Sequence, residues 1–539
     1  MSIKNKLGQL LMMDFRYWGE NSKKKPIPFT HANRKVCELF KSYNLGGFIL
    51  FKENIYDNHQ TISLLRDLQA NVATPLFFGI DQEGGIVNRL PQGTSGCGSM
   101  AITATNNPEN AYTMSKLIGD ELYSLGINTN FAPVIDVNSN KNNPIIGVRS
   151  YSDDPMVVTK YAKESLKGLA DANVISCVKH FPGHGDTALD SHLSSITLNK
   201  TLDDLEKIEL YPFRQLANQY SMVMTAHISM PKLDDTKHKS ISTGKDSYIP
   251  ATLSHKIITD LLKNAIGFKG LVISDAMDMK AIDTHFGRIE ATKMAILAGI
   301  DIVLMPVRVW CEDDVYKIDE LFDELEKEYL HNKNFAQAVD LAYSKVMQFK
   351  LDKKLLDSRL YKLLLEDQYT LSDDTVNSIK HQKLAFDIAK QSTRIVKNNG
   401  LIPFILSENQ KIIIIDSDND RLNNFSDILD TMIKSKKLDI EVTSQNIKDV
   451  SNSTLKFADL VILVSANIRQ FNKLYSDVTA INPTKTINVA AITPHDIDYI
   501  DNIQNYVCIY GATSMDQTNY TKTSLSINIR AGLDNIFTS

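Results

Sequence analysis

Short apolar runs recur through roughly the first 350 residues of the chain, and longer helix-like stretches separate them. The eight runs cover residues 10–15, 45–51, 75–81, 130–137, 174–181, 221–228, 270–277 and 300–306. Near-continuous apolar runs of this length are typical of parallel strands whose two faces are both buried. Eight such strands alternating with helices predict an α/β protein whose first part is a (β/α)8 barrel of the TIM type.

A second α/β region is predicted in the rest of the chain. Its candidate strands cover residues 411–416, 438–444, 458–466, 486–492 and 506–511. With 539 residues the chain is too long for one ordinary core. We therefore expect a catalytic barrel at 1–350, a charged helical connector at 351–385 and a second domain at 386–539. Neither region contains a glycine-rich phosphate-binding motif, so nucleotide binding has no support.

The composition is that of an ordinary globular protein, with 43% hydrophobic and 23% charged residues. The net charge of -5 gives no reason to expect nucleic acid or a membrane surface as a partner. The five cysteines are scattered and form no C-x-x-C pair, which favours a reducing compartment over disulfides or zinc. No export signal or membrane-spanning run is evident, and we expect a cytoplasmic protein.

Polar residues stand at or near the ends of several apolar runs. They are Asp81, Asp136, His180, His227 and Asp275. In a parallel barrel the carboxyl ends of all strands meet at one face, and active sites are built there. These residues are therefore the first candidates for a functional site.

Asp275, in "LVISDAMDM", directly follows a predicted strand and has small neighbours. A carboxylate in this place can be a nucleophile, a general base or a metal ligand. A structural aspartate at the end of a strand is the simpler alternative. For Asp278, three residues further on, we predict a helix N-cap.

Two other segments carry charged residues near strand ends. "GIDQEGG" places Asp81 and Glu83 before two glycines that would let the backbone approach a ligand, and Arg89 follows within reach. "PIIGVRSYSDDP" places Arg149 in a loop after the fourth predicted strand. A surface ion pair is the alternative explanation for Arg149.

The segment "KHFPGHGDTALDSH" at 179–192 holds three of the twelve histidines. His180 and His184 have the spacing of two metal ligands on a helix, but Pro182 and the glycines on either side of His184 argue against a helix. We expect a strand end that enters a flexible loop, with His184 in a structural role.

Asp190 and His192 lie two residues apart at the end of this segment. A carboxylate beside an imidazole orients the ring and stabilises its protonated form, so the pair can serve as a general acid and then as a general base. A solvated loop without function is the alternative.

Several motifs together resemble glycoside hydrolase family 3, in particular its β-N-acetylglucosaminidase branch. "KHFPGHG" followed by "DSH" matches the signature of that branch, and "GIDQEGG", "NFAPVIDV", "RSYSDDP", "SDAMDM" and "AGIDIVLMP" occur in the expected order. The resemblance implies a TIM-type barrel followed by an α/β sandwich domain. It also implies a retaining exo-β-N-acetylglucosaminidase that acts on peptidoglycan fragments (GlcNAc–MurNAc) or chitooligosaccharides, without a metal or other cofactor.

The resemblance assigns a role to each matching residue. Asp275 matches the nucleophile, His192 the acid/base and Asp190 its partner. The residues that match those holding the N-acetylglucosamine are Asp81, Arg89, Arg149, Lys179 and His180.

Other functions remain open on the sequence. A β-N-acetylglucosaminide phosphorylase is the main rival, because a histidine acid/base carries no fixed negative charge that would repel phosphate. A carbohydrate-binding protein without catalysis and a zinc hydrolase are further alternatives. The intact set of Asp190, His192 and Asp275 argues against loss of catalysis.

Overall fold

The computed structural model describes residues 2–187, 196–355, 363–466, 468, 472–511 and 522–538. The chain divides into two compact units. The first consists of Met1–Glu83, Arg89–Thr94 and Ala111–His381, and the second of Gly84–Asn88, Ser95–Asn110 and Gln382–Ser539. Asp190 and His192 fall outside the described residues.

Eight parallel strands form the main sheet of the first unit. They are β1 (Leu11–Met13), β2 (Gly47–Leu50), β3 (Phe77–Ile80), β4 (Thr129–Asn130), β5 (Ile175–Phe181), β6 (Met222–Thr225), β7 (Leu271–Ile273) and β8 (Val303–Leu304). The strands from β1 to β7 pair in chain order, and β8 pairs with β1. A parallel bridge from Ile273 to Ile302 joins β7 to the start of β8. The sheet is therefore a closed barrel, and the predicted fold is confirmed.

Every residue in the eight strands is buried. One face of each strand fills the barrel interior and the other lies under the helices, so both faces require apolar side chains. This is why the strands appear in the sequence as continuous apolar runs rather than as alternating ones.

Helices separate the strands of the barrel. They are Ile3–Gln9, Arg34–Tyr43, Asn58–Ala70, Glu109–Leu125, Pro155–Asp171, Leu202–Lys207, Leu210–Gln215, Lys280–Phe286, Arg288–Ala298, Tyr316–His331, Lys333–Asp352 and Leu365–Thr375. A π-helix, Lys256–Ala265, precedes β7. Two antiparallel hairpins, Tyr17–Glu20 with Pro26–Pro28 and Lys237–Lys239 with Asp246–Tyr248, follow β1 and β6.

Aspartates define where some of the loops after the strands end. Asp57 accepts a hydrogen bond from the backbone N–H of Gln60 at 2.8 Å, and Asp154 accepts one from Met156 at 2.8 Å. Such N-caps satisfy backbone donors that the first turn of a helix leaves without partners. They fix the length of the loops at the carboxyl face of the barrel.

The second unit contains a six-stranded sheet. Its strands are β9 (Arg394–Lys397), β10 (Lys411–Asp416), β11 (Glu441–Asn446), β12 (Leu460–Ser465), β13 (Thr486–Ala490) and β14 (Asn505–Cys508), in the spatial order β9-β14-β13-β12-β10-β11. All neighbours are parallel except β9, which is antiparallel to β14. The five predicted strands are present, whereas β9 was not predicted.

Helices cover both faces of this sheet. They include Asn419–Ser435, Asn452–Phe457, Asn472–Ile481 and Lys522–Ile536. Ile412 and Ile414 pack with Leu429 and Leu533 on one face. On the other face, the hydroxyl of Thr479 donates to Asn488 Oδ1 at 3.2 Å. The sheet therefore lies between two helical layers.

Shorter elements complete the second unit. They are the helices Ser99–Ala104 and Ile379–Ser392 and a parallel pair of short strands, Phe404–Ile405 and Phe537–Thr538. Across both units, none of the described helices combines the length and apolar character needed to cross a membrane.

Candidate active site

Four charged residues after β3, after β4 and at the end of β5 form one bonded group, which we name the charged network. It consists of Asp81, Glu83, Arg149 and Lys179. The Lys179 ammonium lies 2.6 Å from Asp81 Oδ1 and 2.7 Å from Glu83 Oε1. Arg149 donates to the two oxygens of Glu83 at 2.9 and 2.7 Å. The geometry is that of a bidentate guanidinium–carboxylate pair, the strongest kind of side-chain hydrogen bonding.

Each charge in this network is stabilised by its opposite. Burial opposes the ionised form of Glu83, but Arg149 and Lys179 outweigh burial and hold the pKa of Glu83 well below its ordinary value. Burial likewise opposes the charge of Lys179, and Asp81 and Glu83 outweigh it, so the pKa of Lys179 is raised. Glu83, Arg149 and Lys179 therefore remain ionised near neutral pH. The surface ion pair considered for Arg149 is in fact buried, with 10% of the side chain exposed.

Asp136, in the segment that follows β4, organises the residues after Lys179. Its carboxylate accepts the ring N–H of His180 Nδ1 at 2.7 Å and the backbone N–H groups of His180 and His184 at 3.1 and 2.8 Å. Burial would raise the pKa of Asp136, but His180 and these hydrogen bonds lower it. The carboxylate thus fixes the orientation and the tautomer of His180, with Nδ1 protonated.

His184 has a structural environment, as predicted from the glycines around it. It is buried, and its Nδ1 lies 3.1 Å from the hydroxyl of Thr187. Asn143 donates to the backbone carbonyls of His184 and Gly185 at 2.7 and 3.0 Å. Burial and the neighbouring His180 lower the pKa of His184 to about 4, so its ring is neutral at pH 7.

The glycines beside His184 have a packing role. A Cβ on Gly185 would stand 1.6 Å from the carbonyl oxygen of Val137, and one on Gly183 would stand 2.6 Å from Glu209 Cβ. Both distances are far shorter than any contact between real atoms. Close packing, rather than the flexibility expected from the sequence, explains these two glycines.

Asp275 lies just after β7, partly buried, and faces the same region of the barrel mouth. Its Oδ1 accepts the backbone N–H of Ala276 at 2.7 Å. The buried thiol of Cys177 on β5 is close enough to Lys179, Asp81 and Asp275 for all three charges to act on its pKa, which burial raises strongly. Asp275 and two members of the charged network therefore lie near the same buried thiol.

The neighbouring Asp278 is not a helix cap, so this prediction is wrong. The helix Lys280–Phe286 has Met279 at its N-cap, without a side-chain hydrogen bond. Asp278 instead accepts a hydrogen bond from Arg308 at 2.6 Å.

Arg89 lies apart from the bonded network. Its guanidinium stands 5.8 Å from the ring centre of Phe51, and its backbone N–H donates to Gln82 at 2.8 Å. Gln82 directly follows Asp81, so this bond ties Arg89 to the end of β3. Arg89 is thereby held beside Asp81 without an ion pair to it among the described contacts.

Sequence reasoning missed a second group of polar residues, which we name the β1–β8 cluster: Asp14, Arg16, Arg308 and Trp310. Arg16 lies 3.5 Å from Asp14, and Arg308 stacks 4.4 Å from the ring centre of Trp310. Burial raises the pKa of Asp14 to about 6 against the opposing charge of Arg16. One feature of the sequence could have identified Asp14 as a candidate. It stands near the end of the apolar run "LLMMDF", as Asp81 stands at the end of the run at 75–81.

The arrangement at the ends of β3–β5 suits the recognition of hydroxyl groups. It presents fixed ammonium, guanidinium, imidazole and carboxylate groups beside a further carboxylate, Asp275. Such groups donate and accept charge-assisted hydrogen bonds, and because they are already held in place they need little reorganisation on binding.

Comparisons with known proteins identify the family to which the chain is similar. The model of the glycosyl hydrolase family 3 N-terminal domain matches residues 2–344. A β-hexosaminidase A from Pseudoalteromonas piscicida is 36% identical over 86% of this chain and 78% of its own length. A β-hexosaminidase from Tolumonas auensis is 33% identical over 50% of this chain and 77% of its own length. A solved family 3 β-N-acetylglucosaminidase from Paenibacillus has a TM-score of 0.78 and 27% identity, covering 99% of this chain and 97% of that one.

Proposed function

The chain belongs to glycosyl hydrolase family 3 and is a glycoside hydrolase of the β-hexosaminidase kind, and from this premise we propose a narrower activity. It is a retaining exo-β-N-acetylglucosaminidase that removes terminal, non-reducing β-GlcNAc through a covalent glycosyl-enzyme. Its substrates are peptidoglycan fragments with a GlcNAc–MurNAc unit, or chitooligosaccharides.

The charged network carries this proposal. Lys179 is 3% exposed and Glu83 is 4% exposed, yet both are ionised and held by several short contacts. Burying such charges is costly unless their partners compensate, so a set of this kind at a barrel mouth is typical of a functional site. Asp81, Arg89, Arg149, Lys179 and His180 are the residues we assign to the terminal sugar. Because Asp136 holds Nδ1 of His180, Nε2 is the ring atom available to a sugar hydroxyl.

The reaction proceeds in two displacements. In the first, a carboxylate oxygen of Asp275 bonds to the anomeric carbon while the glycosidic C–O bond breaks, and protonated His192 gives its proton to the leaving oxygen. In the second, neutral His192 takes a proton from water as the water oxygen attacks the anomeric carbon and releases Asp275. Asp190 stabilises the imidazolium form of His192.

The test compares Asp275→Asn with Asp278→Asn on 4-nitrophenyl N-acetyl-β-glucosaminide. We expect Asp275→Asn to lose activity by a factor of at least about 1,000, since it removes the nucleophile. Asp278→Asn is a matched control, and we expect it to keep most of the activity. His192→Ala should retain part of its activity on this substrate, because nitrophenolate needs little protonation to leave. Full activity of Asp275→Asn would overturn the mechanism.

Product analysis tests the reaction type and the substrate. The first product released from GlcNAc–MurNAc and from chitobiose should be the β-anomer of GlcNAc, and it should be the same in phosphate and in a neutral buffer. Formation of GlcNAc 1-phosphate would contradict hydrolysis, and an α-anomer would contradict retention. The relative rates on the two disaccharides decide between the two substrate classes.

A further inference from the structure

His227 follows β6 and lies against the turn that carries Asp275. Its ring is buried, with 2% of the residue exposed. Nε2 lies 3.0 Å from the backbone carbonyl oxygen of Ala276, and Nδ1 lies 2.9 Å from the hydroxyl of Thr252. His227 is thus bonded to the residue that immediately follows Asp275.

The two contacts fix the tautomer of this ring. A carbonyl oxygen only accepts hydrogen bonds, so Nε2 carries the proton that reaches Ala276. In the neutral ring Nδ1 is then an acceptor, and it shares the hydroxyl proton of Thr252 with the carbonyl oxygen of Ala226, which lies 3.1 Å from the same hydroxyl. The hydroxyl of Thr225 lies 2.8 Å from that of Thr252 and continues the chain of hydrogen bonds. Thr225 and Thr252 are fully buried, so water does not compete for these bonds.

Ala276 connects this series of hydrogen bonds to the carboxylate of Asp275. Its N–H donates to Asp275 Oδ1, and its carbonyl accepts from His227. The residues on either side are bound to β8, since Ser274 N–H donates to Ile302 and Met277 N–H donates to Leu304, both at 3.0 Å. A rotation of the backbone at Ala276 would therefore break the His227 contact and move the N–H that orients Asp275.

We propose that His227 is a positioning residue for the reaction: its Nε2–H holds the carbonyl of Ala276 and so keeps the carboxylate of Asp275 at the attacking position. This inference rests on the proposed function, in which Asp275 is the nucleophile. His227 does not touch the sugar in this role, so its loss should act on the rate of attack and leave sugar binding nearly unchanged.

The first experiment compares two substitutions that differ in where they place an amide N–H. A glutamine side chain reaches the position of Nε2, whereas asparagine reaches that of Nδ1. We expect His227→Asn to lower kcat about 10- to 100-fold with KM changed less than about 3-fold, because a shift of about 1 Å in a reacting group has this effect. His227→Gln should recover most of kcat. His381→Gln, at a buried histidine bonded to Glu121, is the control for loss of a buried imidazole.

The second experiment removes the nucleophile itself. In Asp275→Gly, azide can attack the anomeric carbon of the aryl glycoside in place of the carboxylate, which releases nitrophenolate and forms the α-glycosyl azide. If His227 acts through Asp275, adding His227→Asn to Asp275→Gly should change the azide-dependent rate less than about 2-fold. If His227 instead had a structural role elsewhere in the site, His227→Asn would lower the azide-dependent rate of Asp275→Gly as much as it lowers the rate of the native chain.

The outcomes separate this inference from the proposed function. If Asp275→Gly retains native activity without azide, the nucleophile assignment fails and the role of His227 fails with it. If Asp275→Gly is inactive and azide restores turnover, but His227→Asn has native kcat, only the positioning role is overturned. Should His227→Asn not fold, His227→Phe replaces it: this variant keeps a buried ring but removes the N–H that reaches Ala276, and an unchanged kcat would also overturn the proposal.

Discussion

Two groups of charged residues lie at the same end of the barrel and differ in how they are paired. In the charged network, Lys179 and Arg149 contact carboxylates at 2.6 to 2.9 Å. In the β1–β8 cluster the ion pair of Arg16 with Asp14 is longer, at 3.5 Å. Within the described part of the chain, Nε of Arg16 and Nε of Arg308 are buried without a hydrogen-bond partner.

The difference appears in the pKa values of two buried carboxyl groups. The pKa of Glu83 is lowered because two cations are in contact with it, whereas that of Asp14 is raised to about 6 because burial dominates. Position at a strand end is therefore not enough to stabilise the ionised form of a carboxyl group. The number and distance of its partners decide whether the charge contributes to stability or opposes it.

The largest expected effect comes from breaking the network at its centre. Lys179→Met leaves Asp81 and Glu83 buried beside each other without their shared ammonium. We expect the free energy of unfolding to fall by about 3–5 kcal/mol, because an uncompensated buried charge remains. Urea denaturation at pH 7 measures this loss. Lys327→Met, which removes an exposed pair with Glu324, is the control and should have little effect. A similarly small effect for Lys179→Met would show that the close ion pairs of the charged network do not stabilise the protein more than the longer pair of the β1–β8 cluster.

An effect of opposite sign is expected from Asp14→Asn. The pKa of Asp14 is 3.8 when unperturbed and about 6 in the folded chain, so ionisation opposes folding above pH 6. Removing the charge should raise the free energy of unfolding at pH 7 by up to about 3 kcal/mol. The gain should shrink as the pH falls below 6 and vanish below about 4, where the native carboxyl is protonated in both states.

Urea unfolding of Asp14→Asn and the native chain between pH 4 and 8 measures this dependence. Asp14→Asn also removes the attraction between Asp14 and Arg16. This loss makes the gain in the free energy of unfolding smaller, but the gain still increases with pH. A gain that is constant with pH, or a loss at pH 7, would show that Asp14 has stabilising partners in the folded chain. The matched variant Asp136→Asn should destabilise the protein at pH 7, because the pKa of Asp136 is lowered.

The smallest effect is expected from Trp310→Phe. The substitution removes the indole N–H, which makes only a minor contribution to the pKa of Asp14, and the contact with Arg308, while most of the aromatic packing remains. We expect the free energy of unfolding to change by less than about 1 kcal/mol. Thermal unfolding monitored by circular dichroism suffices to test this. A loss of several kcal/mol would mean that the indole N–H bonds Asp14 strongly.

The sequence predicted most of the fold because buried parallel strands leave a strong local signal. Eight continuous apolar runs correspond to β1–β8, and five more correspond to β10–β14. The missed strand β9, "RIVK", is exposed throughout and pairs at the edge of the sheet. With one face in water and charges at both ends, it has no apolar run by which to be recognised.

The site was predicted less completely because its contacts join distant parts of the chain. The resemblance to a known family identified Lys179 and His180 as residues that hold the sugar, but it did not identify Glu83. Glu83 contacts Lys179, although the two residues are 96 positions apart in the sequence. Asp136 reaches His180 across 44 residues and His227 reaches Ala276 across 49. No spacing rule for a helix or a strand extends over such distances. Assignments for Asp190 and His192 rest on the sequence and stay predictions.

The close packing around Gly185 limits the substitutions that position 185 can tolerate. Its Cα lies so close to the backbone of Val137 that no side chain fits, and the carbonyl groups around it are held by Asn143. In a screen of random substitutions for activity, position 185 should therefore tolerate as little variation as a residue that bonds the sugar. A map of intolerant positions would group this glycine with the reacting residues, although it contributes no functional group of its own.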